Sequence, residues 1–327
     1  MTSNIRWGFL GAGSIATRFG TGFQAIEGGE ILAVGSRTAS RRRALATEFN
    51  IPRQYGTYEA LVADPDLDVI YVATPHSLHR EHAGLALEAG KAVLCEKPFT
   101  INRSEATELV ALARQRDLFL MEAMWTRYIP IVRTVKQMVQ EGEIGELTML
   151  IADFGGRSPQ PLRGRIADPA LGGGALLDLG VYPVSLASYF FETPPARIET
   201  LAHLQGGVDI RGGVLLGYPA GQMAICYSSI GDNTPQEAVL TGTKGQIRIP
   251  RPFWLNNRCE VFRDGHAPRT VEAELITNGF AHEALEVNRC LRAGLKESPD
   301  MPLDETLDIM ETLDAIRARW GLRYPME

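Results

Sequence analysis

The chain has 327 residues, 45% of them hydrophobic and 22% charged, with a formal net charge of −6. That length suits two domains with a core each. The mildly acidic balance argues against a nucleic-acid partner, since Arg41-Arg42-Arg43 is the only tight basic run.

The first apolar run, residues 5–10, ends in Gly11-Ala12-Gly13-Ser14-Ile15-Ala16, where a helix starts at Ser14. Further apolar runs at 31–35, 69–73, 92–95 and 118–121 alternate with helical periodicity at 41–48, at 77–89 and from Asn102. Glu105 stands three residues after Asn102, as in a capping box. Continuous apolar strands separated by helices predict βαβ units and a parallel sheet buried on both faces. Residues 1–124 are therefore expected to form a doubly wound, Rossmann dinucleotide-binding domain.

After residue 125 the pattern changes. One amphipathic helix at 129–140 leads to a strand at 147–154, then to strand-like runs near 198–205, 208–217, 222–230, 236–241, 246–250, 259–263 and 269–275. Turns such as Tyr218-Pro219-Ala220-Gly221 and Gly242-Thr243-Lys244-Gly245 join them, and 303–320 is helical again. Residues 125–327 read as an α+β domain for substrate binding and oligomerisation, built on a large, mostly antiparallel, open-faced sheet. A sheet covered on one side needs a partner for the other, so a homodimer or higher homo-oligomer through that face is expected.

Two weakly charged stretches are interrupted: 171–191 by Asp178 and Pro183, and 212–230 by Pro219, Gln222 and several glycines. Neither is expected to span a membrane. The first strand begins at residue 5, which leaves no room for a signal peptide. Cys95, Cys226, Cys259 and Cys290 show no CxxC spacing, so they read as reduced thiols in a cytoplasmic protein, with no metal site. His76, His79 and His82 suggest a metal cluster at first sight, but three-residue steps drift around a helix and do not converge.

Gly11-x-Gly13-x-x-Ala16 lies between a first strand and a first helix, where it becomes a dinucleotide fingerprint. Gly11 permits the tight turn, Gly13 lets backbone approach a pyrophosphate, and Ala16 lets helix pack on strand. Ser14 and Ile15 complete that phosphate turn. The second strand ends in Gly35-Ser36-Arg37-Thr38 with Arg41 beyond, and no carboxylate is available for a ribose 2′-hydroxyl. Ser36, Arg37 and Arg41 instead suit a 2′-phosphate, hence NADP. Arg42 and Arg43 read as a solvated helix face.

The run Val93-Leu94-Cys95 stops at Glu96-Lys97-Pro98. Ligands of an open parallel sheet sit beyond the carboxyl ends of its strands, which is where Lys97 falls. Pro98 stops the strand, and Glu96 steadies the lysine or the turn. In the second domain, Gly172-Gly173-Gly174 precedes Asp178 and Tyr182, which are four apart and so share one helical face. The glycines would let the helix start approach nicotinamide or substrate. The same residues also fit an ordinary helix start and a core tyrosine. Trp125, Phe154 and Trp254 are candidates for an aromatic wall around substrate, with Arg127 and Arg163 as polar contacts.

These motifs resemble the Gfo/Idh/MocA oxidoreductases across both domains: the fingerprint, Glu96-Lys97-Pro98, Thr74-Pro75 with His79, and the Asp178…Tyr182 helix. Tyrosine at 182 and the run Met121 to Arg127 resemble the branch of dimeric dihydrodiol dehydrogenase, glucose-fructose oxidoreductase and NADP-dependent xylose dehydrogenase. The resemblance implies that Thr74, Pro75 and His79 lie beside the nicotinamide half of the cofactor, with Glu96, Lys97, Trp125 and Arg127 also among its contacts. It implies that Tyr182 is the acid/base, that Lys97 favours its phenolate, and that Asp178 orients substrate hydroxyls or Lys97. Substrate contacts would then be Lys97, Trp125, Phe154, Arg163, Asp178, Tyr182 and Trp254. The expected activity is an NADP-dependent dehydrogenase or reductase acting on a sugar, polyol or cyclic trans-diol. A cofactor-retaining glycoside hydrolase or lyase, and a non-catalytic NADP(H) sensor, remain open on the same fold.

Overall fold

The structure, a computed structural model, describes residues 4–159 and 161–327. Two compact units emerge. One runs to Trp125 and includes Ile276–Leu307, and the other comprises Thr126–Leu275 and Asp308–Glu327.

The first unit follows the alternation in the sequence: β1 (Ile5–Leu10), α1 (Ser14–Phe23), β2 (Gly29–Gly35), α2 (Ala39–Glu48), β3 (Arg53–Tyr55), α3 (Tyr58–Val62), β4 (Val69–Val72), α4 (His79–Glu88), β5 (Ala92–Glu96), α5 (Arg103–Arg116) and β6 (Leu120–Ala123). All strands are parallel, in the order β3-β2-β1-β4-β5-β6. Because β4 and β5 are buried along their whole length, their runs are apolar throughout rather than alternating. The α5 start is the predicted capping box: Asn102 Oδ1 accepts from Glu105 N at 3.0 Å. The returning Glu105 carboxylate takes the amide of Ile101 at 3.2 Å.

The short β3 and α3 had no periodic signal long enough to read. The helix Phe280–Arg292 does carry helical spacing in Phe280, Ala281, Ala284 and Val287, but it is not among the elements expected from sequence, and its residues fall within the range assigned to the second domain. Phe280, Ala281, Ala284 and Val287 of that helix are buried in the first unit. It packs closely on α1: a Cβ on Gly22 would lie 3.0 Å from that of Phe280 and 2.9 Å from the amide of Ala281. An aromatic core of Trp7, Phe9, Phe19, Phe23, Tyr71 and Phe280 fills the interior, with Phe19 stacked on Tyr71 at 4.0 Å. The Trp7 indole donates to Asn288 Oδ1 at 3.0 Å, which ties the same helix to β1.

The second unit holds α6 (Pro130–Gln140), β7 (Leu147–Gly155), α7 (Val181–Phe191), β8 (Arg197–Gln205), β9 (Val208–Gly217), β10 (Met223–Ser229), β11 (Ala238–Gly242), β12 (Gly245–Ile249), β13 (Arg258–Arg263) and β14 (Arg269–Glu272). Its eight strands run β14-β13-β12-β11-β7-β10-β9-β8, antiparallel except for β7 beside β10. Alternation along β9 and β10 puts Val214, Leu216, Ala224 and Cys226 inside and Leu215, Met223 and Ile225 outside. The register aligns Leu215, Ile225 and Ile151 in one exposed apolar row.

By length and composition alone, Pro169–Phe191 is apolar enough to cross a membrane, but 83% of that window is buried inside the unit, as in a core helix.

Candidate active site

In the first unit, strand order reverses between β1 and β4, where an open α/β sheet binds its ligand. Gly11 turns the chain there with φ +109°, and a Cβ would come 2.7 Å from the Ala73 carbonyl oxygen. Beside it, a Cβ on Gly13 would meet nothing within 4 Å, so backbone is open to an approaching group. Helix α1 starts at Ser14 without a side-chain cap, and Ala16 is fully buried. Uncapped first-turn amides and the helix dipole make this a site for an anion such as pyrophosphate.

After β2, Ser36 is buried and its Oγ accepts from Thr38 N at 3.3 Å. Arg37 is exposed, with its guanidinium 5.5 Å over the Tyr58 ring, and Arg41 is exposed. Arg42 departs from the expectation of a solvated residue: its Nη1 donates to the Ser36 carbonyl at 2.5 Å, bracing the turn. Arg43 is exposed, as expected.

Thr74 and Pro75 follow β4, and His79 opens α4. His79 is fully buried, with Nδ1 at 2.8 Å from the Pro98 carbonyl and Nε2 at 2.9 Å from that of Thr74. Carbonyls only accept, so a neutral ring donates to one of the two. Burial pushes the imidazole down to about 4. The residue thus joins the Thr74-Pro75 turn to the Lys97-Pro98 turn. His82 points to Thr74 Oγ1 at 3.0 Å and packs on Tyr58, and the His76 ring lies 5.7 Å from that of His79.

Lys97 follows β5 directly, half-buried, with a cis bond to Pro98. Behind it, Glu96 is buried and accepts from the Tyr71 hydroxyl at 2.5 Å. Burial raises the Glu96 carboxyl, while that hydrogen bond and the nearby Lys97 ammonium pull it down. The helix Phe280–Arg292 adds Glu283, fully buried beside it, with no hydrogen bond to either oxygen among the described residues. Burial first, and the Glu96 charge second, push Glu283 well above the usual carboxylate range. Sequence reasoning missed Glu283. Its one signal was an acid among Phe280, Ala281, Ala284 and Val287 on an apolar helix face.

In the second unit, Asp178 lies in a π-helical turn, Leu176–Gly180, and Tyr182 in the first turn of α7. The expected four-residue step on one regular α-helix is therefore interrupted by a wider turn. Asp178 pairs with Arg165 at 2.8 Å, a partner that no local motif singles out. Tyr182 is 6% exposed, and its ring lies 5.1 Å from Phe154 and 6.4 Å from Trp254. Phe154 and Trp254 stack at 3.5 Å and 10°, so two of the three proposed wall residues meet around the tyrosine. The third, Trp125, stacks on Phe280 at 4.4 Å in the first unit.

Arg127 is buried, donating to Ser185 Oγ and O at 3.2 Å and lying 5.0 Å over Tyr189. Arg163 is exposed. The glycines ahead of the helix face inward rather than toward a ligand. A Cβ on Gly173 would strike the Arg165 and Ile166 carbonyls at 2.7 Å, and Gly174 lies against Asp209.

Residues 5–124 match the model of an oxidoreductase family with an NAD-binding Rossmann fold, and residues 132–248 match the GFO/IDH/MocA C-terminal domain. The chain belongs to the Gfo/Idh/MocA oxidoreductase family. It is 38% identical to trans-1,2-dihydrobenzene-1,2-diol dehydrogenase of Mus musculus and 36% identical to that of Homo sapiens, over 99% of each chain. It is similar in structure to a 3-ketoreductase from Actinomadura kijaniata in complex with NADP and TDP-benzene. The TM-score is 0.85 and the identity 29%, covering 97% of this chain and 98% of that one. An aldose-aldose oxidoreductase from Caulobacter crescentus gives a TM-score of 0.89 at 26% identity with the same coverage. For this member of the family, the open backbone at Gly13 and the uncapped start of α1 fit a dinucleotide.

Proposed function

We propose that the protein is an NADP-dependent dehydrogenase or reductase that acts on a hydroxyl-bearing carbon of a sugar, polyol or cyclic trans-diol. The observation that carries this reading is the Tyr182 phenol set against the stacked Phe154–Trp254 pair. A flat aromatic surface beside one polar group suits a ring with hydroxyls at its edge. The names of the relatives, diol dehydrogenase and aldose and keto reductases, point to the same substrate class.

In this reading Tyr182 takes the hydroxyl proton in oxidation and returns it in reduction. A free phenol titrates near ~10, too high for a base at neutral pH, and the Lys97 ammonium favours its phenolate. Asp178, fixed by Arg165, orients a second substrate hydroxyl. When bound, the nicotinamide accepts or supplies the hydride. Gly11, Gly13, Ser14, Ile15 and Ala16 hold its pyrophosphate. Ser36, Arg37 and Arg41 hold its 2′-phosphate. The four cysteines, all free and buried, support a cytoplasmic setting.

A screen of aldoses, polyols and trans-dihydrodiols with both cofactors tests this. Turnover is expected with NADP⁺ at a kcat/KM at least about tenfold above that with NAD⁺, a ratio that Arg37→Ala erases by removing charge-assisted bonds. Bond cleavage with no net change in nicotinamide absorbance, or cofactor binding without turnover across the panel, would overturn it.

The homodimer belongs to the same proposal. The exposed row Leu215, Ile225 and Ile151 is the surface for a second copy. Ile225→Arg is expected to leave a monomer in sedimentation velocity, and an unchanged assembly would refute this face.

A further inference from the structure

The helix carrying Asp178 and Tyr182 starts on a buried acid. Asp209, on β9, is fully buried between Val208 and Ile210. Its Oδ2 accepts the Leu176 amide at 2.6 Å, at the first residue of the π-helical turn. Its Oδ1 has no hydrogen-bond partner among the described residues. That oxygen faces Gly174, where φ is +114° and a Cβ would lie only 2.2 Å away. Ala175, Val208, Ile210 and Ile230 close an apolar cluster around the contact.

The backbone amides of Leu176, Asp209 and Ala175 favour the carboxylate, but burial in apolar surroundings outweighs them and raises Asp209 to about 7. The charged and titratable groups nearby do not cancel that burial. On the helix side, Asp178 is paired with Arg165. From the last helix, Arg317 is taken up by Asp314 and Glu327, each at 2.7 Å. From the C-terminal segment, Tyr324 donates to the Gly173 carbonyl at 2.6 Å and lies under the Arg317 guanidinium. The glycine loop is thus pinned from one side by Tyr324 and from the other by Asp209.

We propose that Asp209 is a positioning residue for Tyr182: as a neutral acid it closes the Gly172–Gly174 loop onto β9, and loss of its proton loosens the start of the Tyr182 helix. This rests on the reading of Tyr182 as the acid/base. The folded value lies above the unfolded one near ~3.9, so the stability from this group is present at low pH and lost as pH rises through about 7. An opening that wets the carboxyl becomes easier over that window.

Hydrogen exchange of the full chain between pH 6 and 8, corrected for the intrinsic amide rate, tests it. Protection of segment 174–182 is expected to fall about tenfold, the linkage factor for a group titrating in the middle of that range. Segments in β11 and β12 should hold constant. The loosened helix should also lower wild-type kcat above pH 7; in Asp209→Asn both the fall in protection and this decline are absent. Wild-type exchange that tracks only the intrinsic rate overturns the proposal, with or without a foldable variant. So does an Asp209→Asn enzyme that keeps the wild-type pH profile. Full turnover in Tyr182→Phe would sink the acid/base reading instead and leave the exchange result standing.

Discussion

Tyr182→Phe is expected to lower kcat by about a hundred- to ten-thousandfold, the range that a positioned proton donor or acceptor contributes, with NADPH affinity near wild type. The variant keeps the ring that packs against Phe154 and Trp254 and removes only the hydroxyl, so stability should barely change. Lys97→Met is expected to do the same: a chain of similar length without the ammonium leaves β5 and the Glu96–Tyr71 bond in place. The double variant should lose little more than either single one, because residues that act as a unit are not additive. Steady-state kinetics with fluorescence titration of NADPH separates the outcomes. Wild-type kcat in either single variant rules out the assignment, and a matching loss of cofactor affinity would move Lys97 into a binding role.

Glu283→Gln is the second large effect, and its sign runs against intuition. Glu283 is fully buried with neither oxygen hydrogen-bonded among the described residues, and Glu96 lies close enough to oppose its ionisation. Its folded value stands well above the unfolded carboxyl near ~4.3. The unfolded chain therefore releases its proton first as pH rises, and burial of this group costs stability progressively from about pH 4 upward. Glutamine imitates the protonated acid and does not titrate. The variant should match wild type near pH 4 and exceed it by a margin that grows toward pH 8, since each pH unit above the unfolded value costs the wild type about 1.4 kcal/mol while the buried carboxyl stays protonated. Urea denaturation at the two pH values measures this. Equal stability at both, or a weaker variant at pH 8, would show that Glu283 is not held as a neutral acid.

Much of the nucleotide half was legible in sequence because its signals are local. Gly11, Gly13 and Ala16 are read from one turn, and Asn102 with Glu105 from one cap. In the second unit, the strand alternation of β9 and β10 follows from a period of two, whereas the exposed row needed the strand register. The 2′-phosphate reading of Ser36, Arg37 and Arg41, which belongs to the proposal, rests on an absent acid within a few residues. Arg42 was misjudged because its target is the Ser36 carbonyl, and a backbone oxygen leaves no mark in composition.

The second half of the site was less legible. Asp178 and Tyr182 were singled out by spacing, yet the turn between them is π-helical, and Gly180 in it lies against Ser228. The Gly172–Gly174 run was read as an opening toward a ligand. Its two inner glycines are instead required by carbonyls at 165–168 and by Asp209.

The sequence by itself determined most of the elements, the two grammars of the chain, the cofactor turn and the family, because each rests on short local patterns, single or repeated along the chain. Only the tertiary structure decided which acids are stripped of water. Glu283 reaches Glu96 across 187 positions and Asp209 reaches Leu176 across 33. Desolvation depends on what surrounds a group in space, and no local pattern of residues carries that information.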